Sequence, residues 1–217
     1  ARLYTDFGFF TSRESFAVDL SSIFNTLTGF TVIPEMKKLI VAPDSLRNFF
    51  EKAIRNEIKN AKKGNPARIV AKMNSLSDPE IIKLMYEASC AGVEIHLIVR
   101  GICCLKPGIR NVSANIKVKS IVGRYLEHSR IFCFENGGST MIYLGSADMM
   151  TRNLDRRVEA LFPVENEKLK ERIIDTLNIL WHETDKSRWL KSDGRYKRPS
   201  KTGSEAHEQL HDFVAKL

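Results

Sequence analysis

The fold is decided by residues 68–101, which read RIVAKMNSLSDPEIIKLMYEASCAGVEIHLIVRG. Two apolar runs of strand length, residues 68–73 and 93–99, enclose a segment in which apolar side chains recur at helical spacing. Within that segment, Asp78 followed by Pro79 is typical of a helix start. A strand, a helix and a strand joined by short links predict a parallel βαβ unit.

The same alternation of strands and helices continues on both sides of this unit. The predicted strands are residues 3–11, 38–42, 116–122, 130–134, 141–144 and 158–163, and the predicted helices begin near residues 13, 46, 167 and 204. Residues 101–115, 147–157 and 183–203 are expected to be irregular connections. The chain is therefore predicted to be an α/β protein with a mixed, largely parallel sheet flanked by helices on both faces.

Size and composition set broad limits on the protein. The chain has 217 residues, enough for one large domain or for one domain with an appendage. No apolar run approaches the ~20 residues of a membrane-spanning helix. The four cysteines lack metal-type spacing and lie in apolar or glycine-rich contexts, so we expect buried, reduced thiols and a cytoplasmic protein. They are Cys90, Cys103, Cys104 and Cys133.

The net charge of +8 fits either an ordinary solvated surface or a polyanionic partner. Much of the excess lies in residues 186–201, which we interpret as a basic tail. Lys72, Lys117 and Lys119 in the predicted strands either guide a polyanion or are solvated charges.

The chain starts without a methionine, in a run that resembles the interior of a strand. We therefore expect a segment of a longer protein. A candidate boundary falls around Pro34, because the strand and helix before it are too small for a core of their own. We assign residues 1–33 to the end of a preceding domain and residues 34–217 to a second domain with a basic C-terminal tail.

Residues 124–148 contain groups that suit phosphate chemistry. In a strand, His128 and Arg130 point to the same face. The imidazole can move a proton or act as a nucleophile, and the guanidinium can bind two phosphate oxygens at once. A Gly-Ser turn at Ser146 brings backbone N–H groups towards an anion. The alternatives are a packed, hydrogen-bonded histidine and an Arg130–Glu135 ion pair, although strand alternation places that pair on opposite faces.

Arg100 and Asn74 follow two of the predicted parallel strands. Ligands bind at the carboxyl ends of the strands in such sheets, so Arg100 is a candidate ligand-binding residue. A surface ion pair is the alternative.

The spacing His-x-Arg-x4-Glu, followed by Gly-Ser, resembles the His-x-Lys-x4-Asp motif of the phospholipase D superfamily. That superfamily uses two copies of the motif, whereas His128 is the only histidine of this chain that has the pattern. Four stretches resemble the C-terminal catalytic region of long-form bacterial polyphosphate kinase, in the order of that family. They are residues 1–8, 97–108, 124–138 and 145–159.

This resemblance implies a phospholipase D-like fold and a reversible transfer of the γ-phosphate of ATP to inorganic polyphosphate through a phosphohistidine. His128 matches the second active-site histidine, Arg100 an arginine that binds ATP phosphates, and Tyr4 a tyrosine of the nucleotide site. The phosphorylated histidine and the Mg²⁺ ligands of the family are expected upstream, so this chain alone is expected to be inactive.

Other residues are assigned with alternatives left open. His128 either protonates the leaving oxygen or holds a phosphate, and Arg130 either binds phosphate or supports the site. Tyr4 is either a nucleotide contact or a core residue. Three further residues either line the site or only shape the turn: Ser146, Asp148 and Asn153. Glu135 is a possible supporting residue of the site, with the ion pair to Arg130 as its alternative.

The implied partners are ATP, ADP, inorganic polyphosphate, the upstream domains and further copies of the same chain. No nucleic acid is expected, and association with a membrane is left open. Two other classes of function remain, namely one half of a phospholipase D-type phosphodiesterase or nuclease, and a non-catalytic polyanion-binding module.

Overall fold

A computed structural model describes residues 3–29, 35–200 and 203–215. Their strands are β1 (Tyr4–Thr5), β2 (Ile40–Ala42), β3 (Arg68–Met73), β4 (Glu94–Val99), β5 (Ile116–Ile121), β6 (Leu126–Glu127), β7 (Arg130–Phe134), β8 (Met141–Gly145), β9 (Glu159–Pro163), β10 (Ser187–Leu190) and β11 (Tyr196–Lys197). Their α-helices are α1 (Glu14–Thr28), α2 (Leu46–Lys62), α3 (Pro79–Cys90), α4 (Thr151–Asp155), α5 (Glu167–His182) and α6 (Ala206–Ala215).

Nine of these strands form one sheet in the order β11-β10-β5-β4-β3-β7-β8-β9-β2. Strands β3, β4 and β5 are parallel, and the other described pairings of this sheet are antiparallel. The prediction of a mixed α/β sheet is confirmed, but its parallel part is smaller than predicted. The reason is that β7 and β8 are joined by a short turn, which links antiparallel strands, and that β9 and β10 also pair antiparallel with their neighbours.

Helices cover both faces of the sheet, as predicted. Side chains alternate along β7, so Phe132 and Phe134 belong to the core beneath α2 and α3, whereas Ile131 and Cys133 belong to the core beneath α5. The ring of Phe50 on α2 packs edge-on against Phe132, with the ring centroids 4.8 Å apart. Because β7 is buried from both sides, its position in the sheet is firmly fixed.

The N-terminal segment is less regular than predicted. Of the strand expected over residues 3–11, only β1 forms, and it pairs in parallel with β6. Phe9 stacks on Phe162, but Phe10 is almost fully exposed, so the aromatic run does not alternate between a core and solvent. Helix α1 contributes Phe16 to a small cluster beside β2. The boundary predicted between residues 33 and 34 lies outside the described residues and stays a prediction.

Two predicted connections contain secondary structure. Residues 147–157 include α4, and residues 183–203 include β10 and β11, which extend the sheet beyond β5. These strands have only four and two residues, so the sequence has too little alternation to reveal them.

The expectation of buried cysteines holds for one residue and is wrong for others. Cys133 is buried and Cys103 is half-buried, whereas Cys90 and Cys104 are exposed. The two exposed residues lie at the end of α3 and in the loop after β4, where the chain runs over the surface. In the described parts of the chain, no helix is both long and apolar enough to cross a bilayer.

Candidate active site

The predicted phosphate-binding residues meet at one edge of the sheet. Asn74 follows β3 and Arg100 follows β4, so both lie at the carboxyl ends of parallel strands. Strand β7 runs antiparallel to β3, and its first residue, Arg130, therefore reaches the same edge. His128 lies two residues before β7. The topology thus brings together groups from three strands.

His128 is held by the N-terminal segment. The register of β1 with β6 sets Thr5 opposite Glu127, and the backbone N–H of His128 donates to the carbonyl of Thr5 at 3.1 Å. This pairing lays Asp6 and Tyr4 against the imidazole. Nδ1 of His128 is 2.8 Å from Oδ2 of Asp6, and the Tyr4 ring packs edge-on with the centroids 5.0 Å apart. About a third of the His128 side chain remains exposed.

The hydrogen-bond partners assign the tautomer of His128. A carboxylate accepts only, so Nδ1 carries the proton that is donated to Asp6. Nε2 is then free to accept, and Nη1 of Arg130 lies 2.9 Å from it. The same Nη1 is 3.1 Å from Nδ1 and donates to the His128 carbonyl at 2.8 Å. Nη1 of Arg130 thus lies close to both ring nitrogens, and Nε2 is the one that can take up a proton.

Arg130 is held in place by Asp148 rather than by Glu135. Its Nε and Nη2 donate to the two oxygens of Asp148 at 3.3 Å and 3.2 Å. Oδ1 of Asp148 also accepts from the backbone N–H of Asn74 at 2.7 Å. Asp148, one of the residues singled out in the sequence, therefore links Arg130 to the end of β3.

Asn74 connects Arg100 to His128. Its Oδ1 accepts from Nε of Arg100 at 2.8 Å, and its Nδ2 donates to the carbonyl of His128 at 3.3 Å. The backbone approaches closely at this point, since a Cβ on Gly101 would lie 2.9 Å from the Asn74 carbonyl oxygen. Glycine at position 101 thus permits the arrangement.

The remaining candidates lie elsewhere. Glu135 follows the last residue of β7, five residues and about 17 Å from Arg130 at the rise of an extended strand. Its backbone N–H donates to the Arg68 carbonyl at 2.9 Å. Ser146 and Asn153 both donate to the buried carboxylate of Glu159, and so they support the turn after β8.

Two of the three strand lysines do not present a solvated charge. Lys72 is buried and donates to the carbonyl of Ser129 at 2.9 Å, and Lys119 is buried and donates to the Trp181 carbonyl at 2.6 Å at the end of α5. Burial lowers the pKa of Lys119 to about 8. Lys117 is exposed. A solvated or polyanion-guiding charge is therefore wrong for Lys72 and Lys119.

Sequence reasoning missed Asp6 and Glu127. Asp6 touches His128 across more than a hundred positions of the chain, and no local spacing signals that contact. For Glu127 a signal did exist in Lys72, because a lysine inside a buried strand requires an anionic or polar partner. Lys72 lies 3.2 Å from the Glu127 carboxylate.

The site is suited to binding an anion with several oxygens. One imidazole and two guanidinium groups face a common edge, and carboxylates hold His128 and Arg130 in place. Charged donors of this kind bind phosphoryl oxygens strongly. Across residues 3–29, 35–200 and 203–215, no cluster of three or more His, Cys, Asp or Glu side chains is arranged to hold a metal ion.

The fold is of the phospholipase D-like class. A solved structure of the phospholipase D family member Nuc from Salmonella typhimurium shares the fold, with a TM-score of 0.51 at 18% identity, over 71% of this chain and 97% of that one. More specifically, the model of the family "Polyphosphate kinase C-terminal domain 2" matches residues 39–209, and the chain belongs to that family.

Longer relatives agree with this assignment. The chain is 49% identical over 214 residues to a polyphosphate kinase of Lactiplantibacillus plantarum, which covers 99% of this chain and 30% of that protein. The crystal structure of polyphosphate kinase from Porphyromonas gingivalis superposes with a TM-score of 0.90 at 36% identity, over 95% of this chain and 32% of that one. The chain thus spans about a third of the length of these relatives.

Proposed function

We propose that this chain supplies one half of the active site of a polyphosphate kinase, which transfers the γ-phosphate of ATP reversibly to inorganic polyphosphate through a phosphohistidine. One observation carries the proposal. In a chain of this family, a partly exposed imidazole lies beside one guanidinium and is joined through Asn74 to a second.

The four residues have separate roles in this proposal. Arg100 and Arg130 bind the oxygens of the transferred phosphoryl group and offset the charge that spreads over them in the transition state. Tyr4, which is largely exposed, contacts the nucleotide. His128 takes up a proton from solvent at Nε2 and gives it to the leaving oxygen, while Asp6 accepts from Nδ1 and holds the ring in place.

The described residues do not fit a Mg²⁺ ion at this site. Mg²⁺ prefers oxygen ligands. Among the groups described at this edge, Asp6 and Asp148 are engaged by His128 and Arg130, and the side-chain oxygen of Asn74 accepts from Arg100. The imidazole and guanidinium groups beside them are poor ligands for Mg²⁺. The family's Mg²⁺ ligands are therefore assigned to parts of the protein outside this chain, and no step here depends on the ion.

The nucleophilic histidine is also assigned outside this chain. The complete protein is expected to form labelled polyphosphate from γ-labelled ATP, and His128→Ala is expected to remove that synthesis. The chain of 217 residues by itself is expected to give no turnover. Synthesis retained by His128→Ala refutes the role of His128, and turnover by the chain alone refutes the half-site proposal.

A second pair of variants separates the two roles open to His128. His128→Lys retains a cation but cannot deliver a proton in the same geometry, whereas His128→Gln retains a neutral hydrogen-bond donor. A general acid predicts that both variants lose about 10²–10⁴-fold in kcat. Substantial synthesis by His128→Lys points instead to a phosphate ligand.

The competing functions predict other products. A phosphodiesterase or nuclease half, when combined with a second motif, releases alcohols or nucleotides from diesters. A polyanion-binding module binds polyphosphate with an affinity that falls steeply with salt, and it shows no turnover when the complete protein is assayed. Further copies of the chain as partners are part of the same proposal and are tested by the mass of the complete protein in solution.

A further inference from the structure

Both chain neighbours of His128 are buried and are held by a lysine from another strand. Nζ of Lys72 donates to the carbonyl of Ser129 at 2.9 Å and to its Oγ at 2.8 Å. The same Nζ lies 3.2 Å from Oε2 of Glu127. Burial lowers the pKa of Lys72, and the adjacent Glu127 carboxylate opposes that shift. Lys72 thus contacts both residues that flank His128 in the chain.

The other oxygen of Glu127 is held from the C-terminal helix. Oε1 of Glu127 accepts from Nε2 of His207 at 2.8 Å and from Oγ1 of Thr5 at 3.1 Å. The His207 side chain is only 4% exposed. Among the described residues its Nδ1 has no hydrogen-bond partner, so the proton is assigned to Nε2, where the carboxylate accepts it.

A glycine makes room for this contact. A Cβ on Gly123 would lie 2.6 Å from Cε1 and 2.8 Å from Nδ1 of His207. Such distances are shorter than real side chains show, so the imidazole would have to move. Gly123 therefore offers a way to displace His207 while leaving every charged group in place.

Stability alone does not explain a buried group of this kind. A buried ion pair loses much of its Coulombic attraction to the cost of removing two charges from water, and apolar residues of the same volume are often at least as stabilising. What the group does fix is geometry, because Lys72 contacts both Glu127 and Ser129, and His207 contacts the other oxygen of Glu127. The residue between them is His128.

We propose that Lys72 and His207 are positioning residues for His128. From β3 and α6 they hold Glu127 and Ser129, and so they fix the backbone that directs the His128 imidazole towards Arg130. The catalytic role of His128 rests on the proposed function. The contacts that orient the ring stand independently of it.

The experiment compares four variants of the complete protein. His207→Phe keeps a ring but removes the donor, His207→Gln restores a donor N–H, and Gly123→Ala displaces the imidazole. The matched control is His211→Phe, one turn further along α6, whose side chain is 81% exposed. Thermal unfolding monitors the fold of each variant.

Two readouts are used, and one does not require activity. Diethylpyrocarbonate modifies accessible neutral imidazoles, and the modification of His128 is measured by peptide mass spectrometry against the exposed His182. In His207→Phe and Gly123→Ala, the rate at His128 is expected to change by about threefold or more, because the segment that holds it opens locally. His207→Gln and the control are expected to match the parent protein.

The second readout is synthesis of polyphosphate. His207→Phe is expected to lose about tenfold in kcat, comparable to one hydrogen bond to a charged group, with little change in KM for ATP. His207→Gln is expected to recover most of that loss, which a merely structural defect would not predict.

The outcomes separate the two proposals. An unchanged His128 reactivity in a folded His207→Phe variant overturns the positioning role, whatever the activity, and Gly123→Ala decides the question if His207→Phe does not fold. A changed reactivity in a protein that makes no polyphosphate leaves the positioning role standing and refutes the proposed function.

Discussion

Replacing Asp148 by asparagine is expected to release Arg130 from its place beside His128. The amide has nearly the shape of the carboxylate, so the backbone N–H of Asn74 keeps an acceptor at its present 2.7 Å. The nitrogen of the new amide, however, cannot accept from Arg130. Of the two hydrogen bonds at 3.3 Å and 3.2 Å, at least one is lost, together with the opposite charge.

The size of the effect follows from burial. The side chains of Arg130 and Asp148 are 12% and 10% exposed, so the pair is intermediate between a surface pair and a fully buried one. A surface pair contributes under about 1 kcal/mol, and disrupting a buried pair costs about 3–5 kcal/mol. Hydrogen bonds to charged groups contribute about 1.5–3 kcal/mol. We therefore expect Asp148→Asn to lower the free energy of unfolding by about 2 kcal/mol and kcat by about 10–100-fold.

The assay is paired measurement of urea unfolding and of polyphosphate synthesis in the complete protein. Asp155→Asn is the control, because it breaks another carboxylate–guanidinium contact, that of Asp155 with Arg47. Arg47 retains its second partner, Asp78, at 2.7 Å. For the control, the free energy of unfolding is expected to fall by under about 1 kcal/mol, and kcat is expected to stay the same. Equal kcat values for Asp148→Asn and the parent protein would refute the role assigned to the Asp148–Arg130 pair.

Three further predictions concern stability and reactivity. Burial raises the pKa of Asp19, but hydrogen bonds from the backbone N–H groups of residues 37–39 outweigh it, so the pKa is lowered in the folded state. The ionised Asp19 therefore stabilises the fold above about pH 4, and this stabilisation is lost as the pH falls through the pKa of the folded state. Acid unfolding followed by circular dichroism should therefore be less pH-dependent in Asp19→Asn, and identical profiles would contradict this reasoning. Gly145→Ala is expected to lower the free energy of unfolding in urea by about 1–3 kcal/mol, because the added Cβ would lie 2.2 Å from the Ala160 carbonyl oxygen. An unchanged unfolding midpoint would show that β9 moves freely. At pH 8, iodoacetamide should label the exposed Cys104 quickly and Cys133 slowly, because burial raises the pKa of the Cys133 thiol to about 11; equal rates, read by peptide mass spectrometry, would disprove the difference.

Much of the central sheet could be predicted from short-range patterns. The bounds of β3 and β7 are those expected from the sequence, because both are apolar runs that end at polar residues and are buried on both faces. From the resulting strand order, the placement of Arg100 at a carboxyl end followed directly. Strands β10 and β11 could not be found in this way, because runs of four and two residues are too short to show a periodic pattern.

The site was predictable only where its members are close in sequence. His128 and Arg130 form a local motif, and they are in contact although His128 lies just outside β7. Asp6 reaches His128 through the pairing of β1 with β6, a contact set by topology and not by spacing. The motif spacing singled out Glu135, but the rise of an extended strand carries that residue to the opposite end of β7.

The junction of β3 with β7 has a further consequence for how the site comes into being. This is one of the two borders between the parallel and antiparallel parts of the sheet, and it joins segments about sixty residues apart in the chain. Closing so long a loop is entropically costly, and such pairings form slowly. Asn74 and Asp148 reach the site from either side of this border. A bound phosphate would therefore link the two sides of the β3–β7 border. Amide hydrogens of β3 and β7 should then exchange more slowly when the ligand is present.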